Sequence, residues 1–135
     1  MKFFFNCPID NCTTHDHYRD TPLTYAGVYG HVEVVRVLLE GGADVERANA
    51  VQRTALHMAA WFGYLELCRL LLDWGAKVDP RDNRKETPLH YAARWGHLSV
   101  VKLLVERGAD VKVKNHFGMT ASDLARIWRN EAVAH

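Results

Sequence analysis

The chain has 135 residues, a length suited to one domain, with 48% apolar and 24% charged residues, as in a soluble folded protein. Its 17 basic and 16 acidic residues are interspersed and leave a net charge of +1, so no global field draws in nucleic acid or an anionic membrane. No apolar run approaches the roughly 18 residues that mark a membrane span.

Residues 1–15 form a lead-in. They open with Met1-Lys2-Phe3-Phe4-Phe5 and break at Asn6, Cys7 and Pro8. A secretion signal needs an apolar region of roughly 7–15 residues, so none is read here. Three cysteines make no disulfide framework. An intracellular location, cytoplasmic or nuclear, is the simplest expectation. Cys7, Cys12, His15 and His17 put four zinc-competent side chains close together. The spacing is unusual, and His15 and His17 alternate, so they point opposite ways on an extended chain. Zinc is therefore the minor reading, and no metal or cofactor is expected.

From there the sequence repeats. Thr21-Pro22-Leu23-Thr24-Tyr25-Ala26 returns as Thr54-Ala55-Leu56-His57-Met58-Ala59, as Thr87-Pro88-Leu89-His90-Tyr91-Ala92, and as Thr120-Ala121-Ser122-Asp123-Leu124-Ala125. The threonines are 33 residues apart throughout. A second block keeps register: Leu38-Leu39-Glu40-Gly41-Gly42-Ala43-Asp44, Leu71-Leu72-Asp73-Trp74-Gly75-Ala76-Lys77 and Leu104-Val105-Glu106-Arg107-Gly108-Ala109-Asp110. The units run 16–48, 49–81 and 82–114, with a partial fourth over 115–135.

Each unit reads as two short helices. The threonine suits an N-cap, and Pro22 and Pro88 take the next position, where a missing N–H costs little. The first helix is predicted to end near Gly30, Gly63 and Gly96. The second carries polar residues at Glu33, Arg36 and Glu40, at Glu66, Arg69 and Asp73, and at Ser99, Lys102 and Glu106, one narrow face turned to water. Its other positions are apolar, so the helix pair must stack on its neighbours. Gly42, Gly75 and Gly108 suit a left-handed helix end.

These motifs resemble the ankyrin repeat family from about Asp16 to the C-terminus. The resemblance implies an all-α solenoid of helix-turn-helix units with β-hairpin loops projecting from one side. Three departures stand out. Arg19, Gln52 and Lys85 occupy a place where the family has glycine, and only Gly118 conforms. A non-glycine residue there costs about 1 kcal/mol, so the first three hairpins are expected to be looser or differently shaped. Unit one has Thr24 and Gly27 for the usual histidine and alanine. Unit four, with Ser122, Asp123 and Arg126, reads as a polar C-terminal cap. Cys12 then stands where Val45, Val78 and Val111 stand.

Eight residues after each threonine come Tyr29, Phe62, Trp95 and Trp128; one residue earlier come Val28, Trp61, Arg94 and Ile127. The resemblance implies that these positions line a concave groove used for partners. Aromatic and arginine side chains are typical interface anchors, although the same rings would also support the stack. The hairpin tips add Tyr18, Arg53, Arg84 and Phe117 as candidate contacts, with Val51 and Lys85 beside them; the cations would suit an acidic edge on the partner.

The resemblance implies that His57 and His90, at family motif positions, hydrogen-bond between units; His31 and His97 follow the helix-breaking glycines. Cys68 reads as a small buried hydrophobe. There is no Gly-rich phosphate loop, paired-carboxylate motif or HExxH. The expected function is a non-catalytic protein-interaction module, an adaptor or scaffold, with a protein or peptide partner and no small-molecule substrate. It is expected to be a monomer unless it is part of a larger protein. The alternative is a structural segment stacking through its ends, at Phe3–Phe5 and at the chain end.

Overall fold

The computed structural model describes residues 21–127. Seven helices follow in pairs: α1 (Pro22–Tyr29) and α2 (Val32–Glu40), α3 (Ala55–Phe62) and α4 (Leu65–Asp73), α5 (Pro88–Arg94) and α6 (Leu98–Glu106), then α7 (Ala121–Ile127). There is no strand among the described residues, so the projecting loops are hydrogen-bonded turns. The zinc-competent set Cys7, Cys12, His15 and His17, together with Tyr18, Arg19 and Trp128, lies outside the described residues.

Every first helix starts at its threonine. Thr21, Thr54 and Thr87 are extended at the N-cap, and their hydroxyls accept from the backbone N–H three residues on. In α3 and α5 the residue giving that N–H is a histidine. The Nδ1 of His57 and of His90 accepts from the threonine N–H, closing a reciprocal capping box. Asp123 does the same for α7, where Thr120 N–H donates to its carboxylate at 3.0 Å. That bond is the main reason the Asp123 carboxyl is held below its ordinary range. Thr24, in place of a histidine, turns its hydroxyl back to the Thr21 carbonyl.

The helices form two layers. The first helices stack α1–α3–α5–α7, and the second helices stack α2–α4–α6 behind them. The core between the layers is built from alanines, which let helices approach closely, and from leucines and valines such as Leu56, Leu67, Leu71, Leu89, Val100 and Leu104, all at most 2% exposed. Each buried leucine contributes about 1.5–3 kcal/mol. All nine polar positions expected on the outer face of the second helices are exposed. Not every apolar position between them is covered: Val37, Leu98 and Val105 are exposed as well.

The helix-ending glycines serve two needs at once. Gly30 and Gly63 have φ of 69° and 75°, the left-handed region. A Cβ at Gly63 would also lie 2.5 Å from His97 Nδ1, and one at Gly30 would lie 2.9 Å from the Tyr64 ring. The next unit therefore packs onto bare backbone. From there the Tyr64 hydroxyl donates to the Val28 carbonyl at 3.1 Å, and His97 Nε2 lies 2.9 Å from the Trp61 carbonyl.

The second and third hairpins correct one expectation. Gln52 and Lys85 do take the left-handed conformation, with φ of 69° and 62°. The turns nevertheless match the glycine-bearing fourth. Asn49 N–H donates to Arg53 O, Asp82 N–H to Glu86 O and Asn115 N–H to Met119 O, at 2.9–3.0 Å. The side-chain oxygen of each of Asn49, Asp82 and Asn115 accepts two further backbone N–H groups inside its own tip. Four hydrogen bonds per tip, counting the i to i+3 turn bond, outweigh a backbone cost of about 1 kcal/mol. The hairpins are therefore neither looser nor differently shaped.

Candidate functional site

The second hairpin tip reaches the end of the first helix of its own unit. The Arg53 guanidinium, from the second tip, lies 5.1 Å from the Trp61 ring centre at the end of α3. Trp61 is half-buried and is the hub of an aromatic cluster. It stacks on Phe62 and on Trp95 with ring centres 6.0 and 6.3 Å apart and planes within 20°. Tyr91 meets it edge-on at 5.3 Å. Phe62 continues onto Tyr64 at 5.8 Å. Offset ring pairs of this kind add about 0.5–1.5 kcal/mol each. A second group, Tyr25, Tyr29 and His31, belongs to unit one.

These contacts do not bury the row. Tyr29 is 55%, Phe62 43%, Trp95 43% and Ile127 57% exposed. Val28 and Trp61 are partly covered and pack against the core. The rings thus support the stack with one face and leave the other in solvent.

The arginines stand differently. Arg53 Nε donates to the Tyr91 hydroxyl at 2.8 Å and lies 3.8 Å from the Asp82 carboxylate, which is fully buried. The Tyr91 hydroxyl in turn donates to Asp82. Burial, then this carboxylate neighbour, pushes the Tyr91 phenol up. Arg94 pairs with the buried Glu86 carboxylate, which also accepts from Asn115 Nδ2 at 2.9 Å. Both arginines are therefore engaged inside the protein. Arg84 and Phe117, by contrast, are exposed at their tips, Phe117 at 71% with its ring edge-on to His116.

Sequence reasoning missed the acids beneath the arginines. Asp82 falls at the hairpin position that Asn49 and Asn115 occupy, so the signal was its place in the register. It also passed over Trp74, which is 44% exposed at the end of α4, where the other units have Gly41 and Arg107.

Among the described residues, the one cysteine and the two buried motif histidines are structural. Cys68 is fully buried and its thiol is pushed up to about 12 by that burial. His57 and His90 spend both ring nitrogens on the scaffold: Nε2 of each faces a carbonyl of the following hairpin, Glu86 O at 2.9 Å and Met119 O at 3.0 Å. Among the described residues no group of three His, Cys, Asp or Glu side chains is placed to hold a metal ion, and no helix is long and apolar enough to cross a membrane.

A search of curated proteins returned no match. The family model for ankyrin repeats (3 copies) matches residues 1–82 and 48–115. The chain belongs to the ankyrin repeat family, whose repeats generally serve as protein-interaction modules.

Proposed function

We propose that this protein is a non-catalytic adaptor or scaffold that binds a partner protein or peptide through the first-helix ends and hairpin tips. One observation carries the reading. Three aromatic rings in register, Tyr29, Phe62 and Trp95, keep about half of their surface in solvent although aromatic neighbours lie beside them. An exposed, pre-stacked aromatic row is costly to leave bare and suited to being covered. Its rigid backing lowers the ordering cost of binding. Tyr29, Phe62, Trp95 and Ile127 are the apolar contacts, with Val28 and Trp61 behind them and Phe117 at the tip. Arg53 and Arg94 fix the shape of the site through their buried carboxylates, and Arg84 addresses the partner directly.

The test replaces Phe62 and Trp95 together with alanine and measures melting temperature and capture of interacting proteins. A folded double variant is expected to lose its partners, whereas Trp74→Ala, an exposed ring on the other layer, keeps them. Undiminished capture by the folded double variant overturns the reading.

A second reading, a segment that stacks end to end in a larger ankyrin array, rests on Val105. It is 45% exposed, whereas its counterparts Leu39 and Leu72 are 4% and 8% exposed. Light scattering over a concentration series separates the two, since a constant monomer mass removes the stacking reading.

A further inference from the structure

The groove side of the molecule is sorted by charge. Three carboxylates lie on its described segments, and two of them are buried. Asp82 and Glu86 have side chains 0% and 4% exposed, beneath Arg53 and Arg94. Asp123 caps α7 and lies 3.5 Å from Arg126. The remaining carboxylates of the described residues sit on the second helices or in the loops that follow them. Three arginines thereby have a carboxylate partner, Arg81 donates to backbone carbonyls, and Arg84 and Lys85 stand at the third tip without a carboxylate. Both are exposed at the third tip, and no carboxylate lies within 4 Å of either among the described residues.

That tip is held in place. Asn83 N–H donates to Val51 O of the preceding hairpin at 3.0 Å, and His116 N–H of the following one donates to Arg84 O at 2.7 Å. Arg81 steadies the base by donating to Lys114 O at 2.8 Å. The two cations are thus displayed on a fixed ridge, and α5 runs from the base of that hairpin to the exposed Trp95.

We propose that the groove selects an acidic peptide segment, one whose aspartate or glutamate side chains meet Arg84 and Lys85 while a neighbouring apolar side chain covers Trp95 and Phe62. The inference rests on the groove reading above and specifies its ligand. The seven residues of α5 span roughly 10 Å. The tip lies beyond the start of α5, so an extended ligand places its acids at least about three residues from its apolar anchor. A nucleic acid fits less well. The two cations at the tip are few for a phosphate backbone, whose binding grows with each phosphate neutralised, and the chain as a whole carries only +1.

The test is a display selection of random 16-residue peptides against the full chain. Fluorescence anisotropy of the best labelled peptide then follows at 50 and 300 mM salt. Enriched peptides are expected to be rich in Asp and Glu around one Leu, Phe or Trp. They should bind at least tenfold more weakly to an Arg84→Glu/Lys85→Glu variant, and more weakly at the higher salt. Trp95→Ala should weaken the same peptides. Neutral or basic peptides that depend on Trp95 but not on the two cations would overturn the acidic inference and leave the groove reading standing. Peptides indifferent to both changes, or no enrichment at all, overturn both. Tighter binding of a 20-base RNA or DNA than of any selected peptide overturns the peptide assignment.

Discussion

The imidazole of His57 is committed at both nitrogens. Thr54 N–H donates to Nδ1, so the proton resides on Nε2, which donates to Glu86 O. A second proton would have to enter at Nδ1, against that N–H, in a site with no solvent exposure. Burial accordingly lowers the His57 pKa from 6.5 to about 4, and lowers that of His90 in the same direction. On acidification the unfolded chain takes up these protons first. The stabilising contribution is complete above about pH 6.5 and is lost as the pH falls towards 4, for His57 by roughly 3 kcal/mol. His57→Gln, which cannot titrate, is expected to be less stable at pH 7.5 and to lose less further stability between pH 6.5 and 4. Urea melts across that range check it, and an unchanged slope rejects the role given to His57. At Gln52 the backbone, not the side chain, is under load, because its φ of 69° is the left-handed one. Gln52→Gly should stabilise the protein by up to about 1 kcal/mol, read as a rise of a few degrees in Tm. A fall in Tm would mean that the Gln52 side chain contributes a contact of its own.

Between neighbouring elements, the junction at the end of each first helix does more than turn the chain. Gly63 and Gly75 both have positive φ, 75° and 93°, so an alanine at either position carries the same backbone strain, roughly 1–2 kcal/mol. Only at Gly63 would the new Cβ also meet His97, whereas nothing lies within 4 Å of one at Gly75. Gly63→Ala should therefore cost at least 2 kcal/mol more than Gly75→Ala, since His97 must leave the Trp61 carbonyl. Equal costs in thermal melts would show that the close approach carries no energy. Much of this level was legible in the sequence. The capping threonines and the 33-residue register fix where α1, α3, α5 and α7 begin, and the paired glycines fix where helices stop. The ties across units were not legible. Arg53 and Arg84 are the same residue type at neighbouring tips, and local spacing does not reveal that one lies against a buried carboxylate while the other is exposed. The decisive partners lie far along the chain: Tyr91, 38 residues from Arg53, and Glu86, 29 residues from His57.

At the scale of the whole molecule, stability in such a stack is a sum over units and the interfaces between them, so one joint decides whether the stack melts together. The joint between the second and third units includes a polar cluster around Asp82. Its Oδ1 accepts from Arg84 and Glu86 N–H and shapes the third tip, while Oδ2 receives the Tyr91 hydroxyl and faces Arg53 of the preceding unit. Removing one member of a buried ion pair typically costs about 3–5 kcal/mol, and here the loss falls on the tip and the interface together. Asp82→Ala should separate the unfolding of α1–α4 from that of α5–α7. The expected signs are a shallower urea transition and hydrogen-exchange protection that differs between the halves. Asp82→Asn distinguishes the two duties. Asparagine shapes the tips at Asn49 and Asn115, so this variant keeps the hairpin while giving up the charge opposite Arg53. It should melt as one unit, with a loss of about 1–2 kcal/mol. If Asp82→Ala also melts in a single sharp transition, alanine and leucine packing between α3 and α5 couples the units without the polar joint. The Arg53–Asp82–Tyr91 contacts would then serve to hold Trp61 and the aromatic surface in shape for binding.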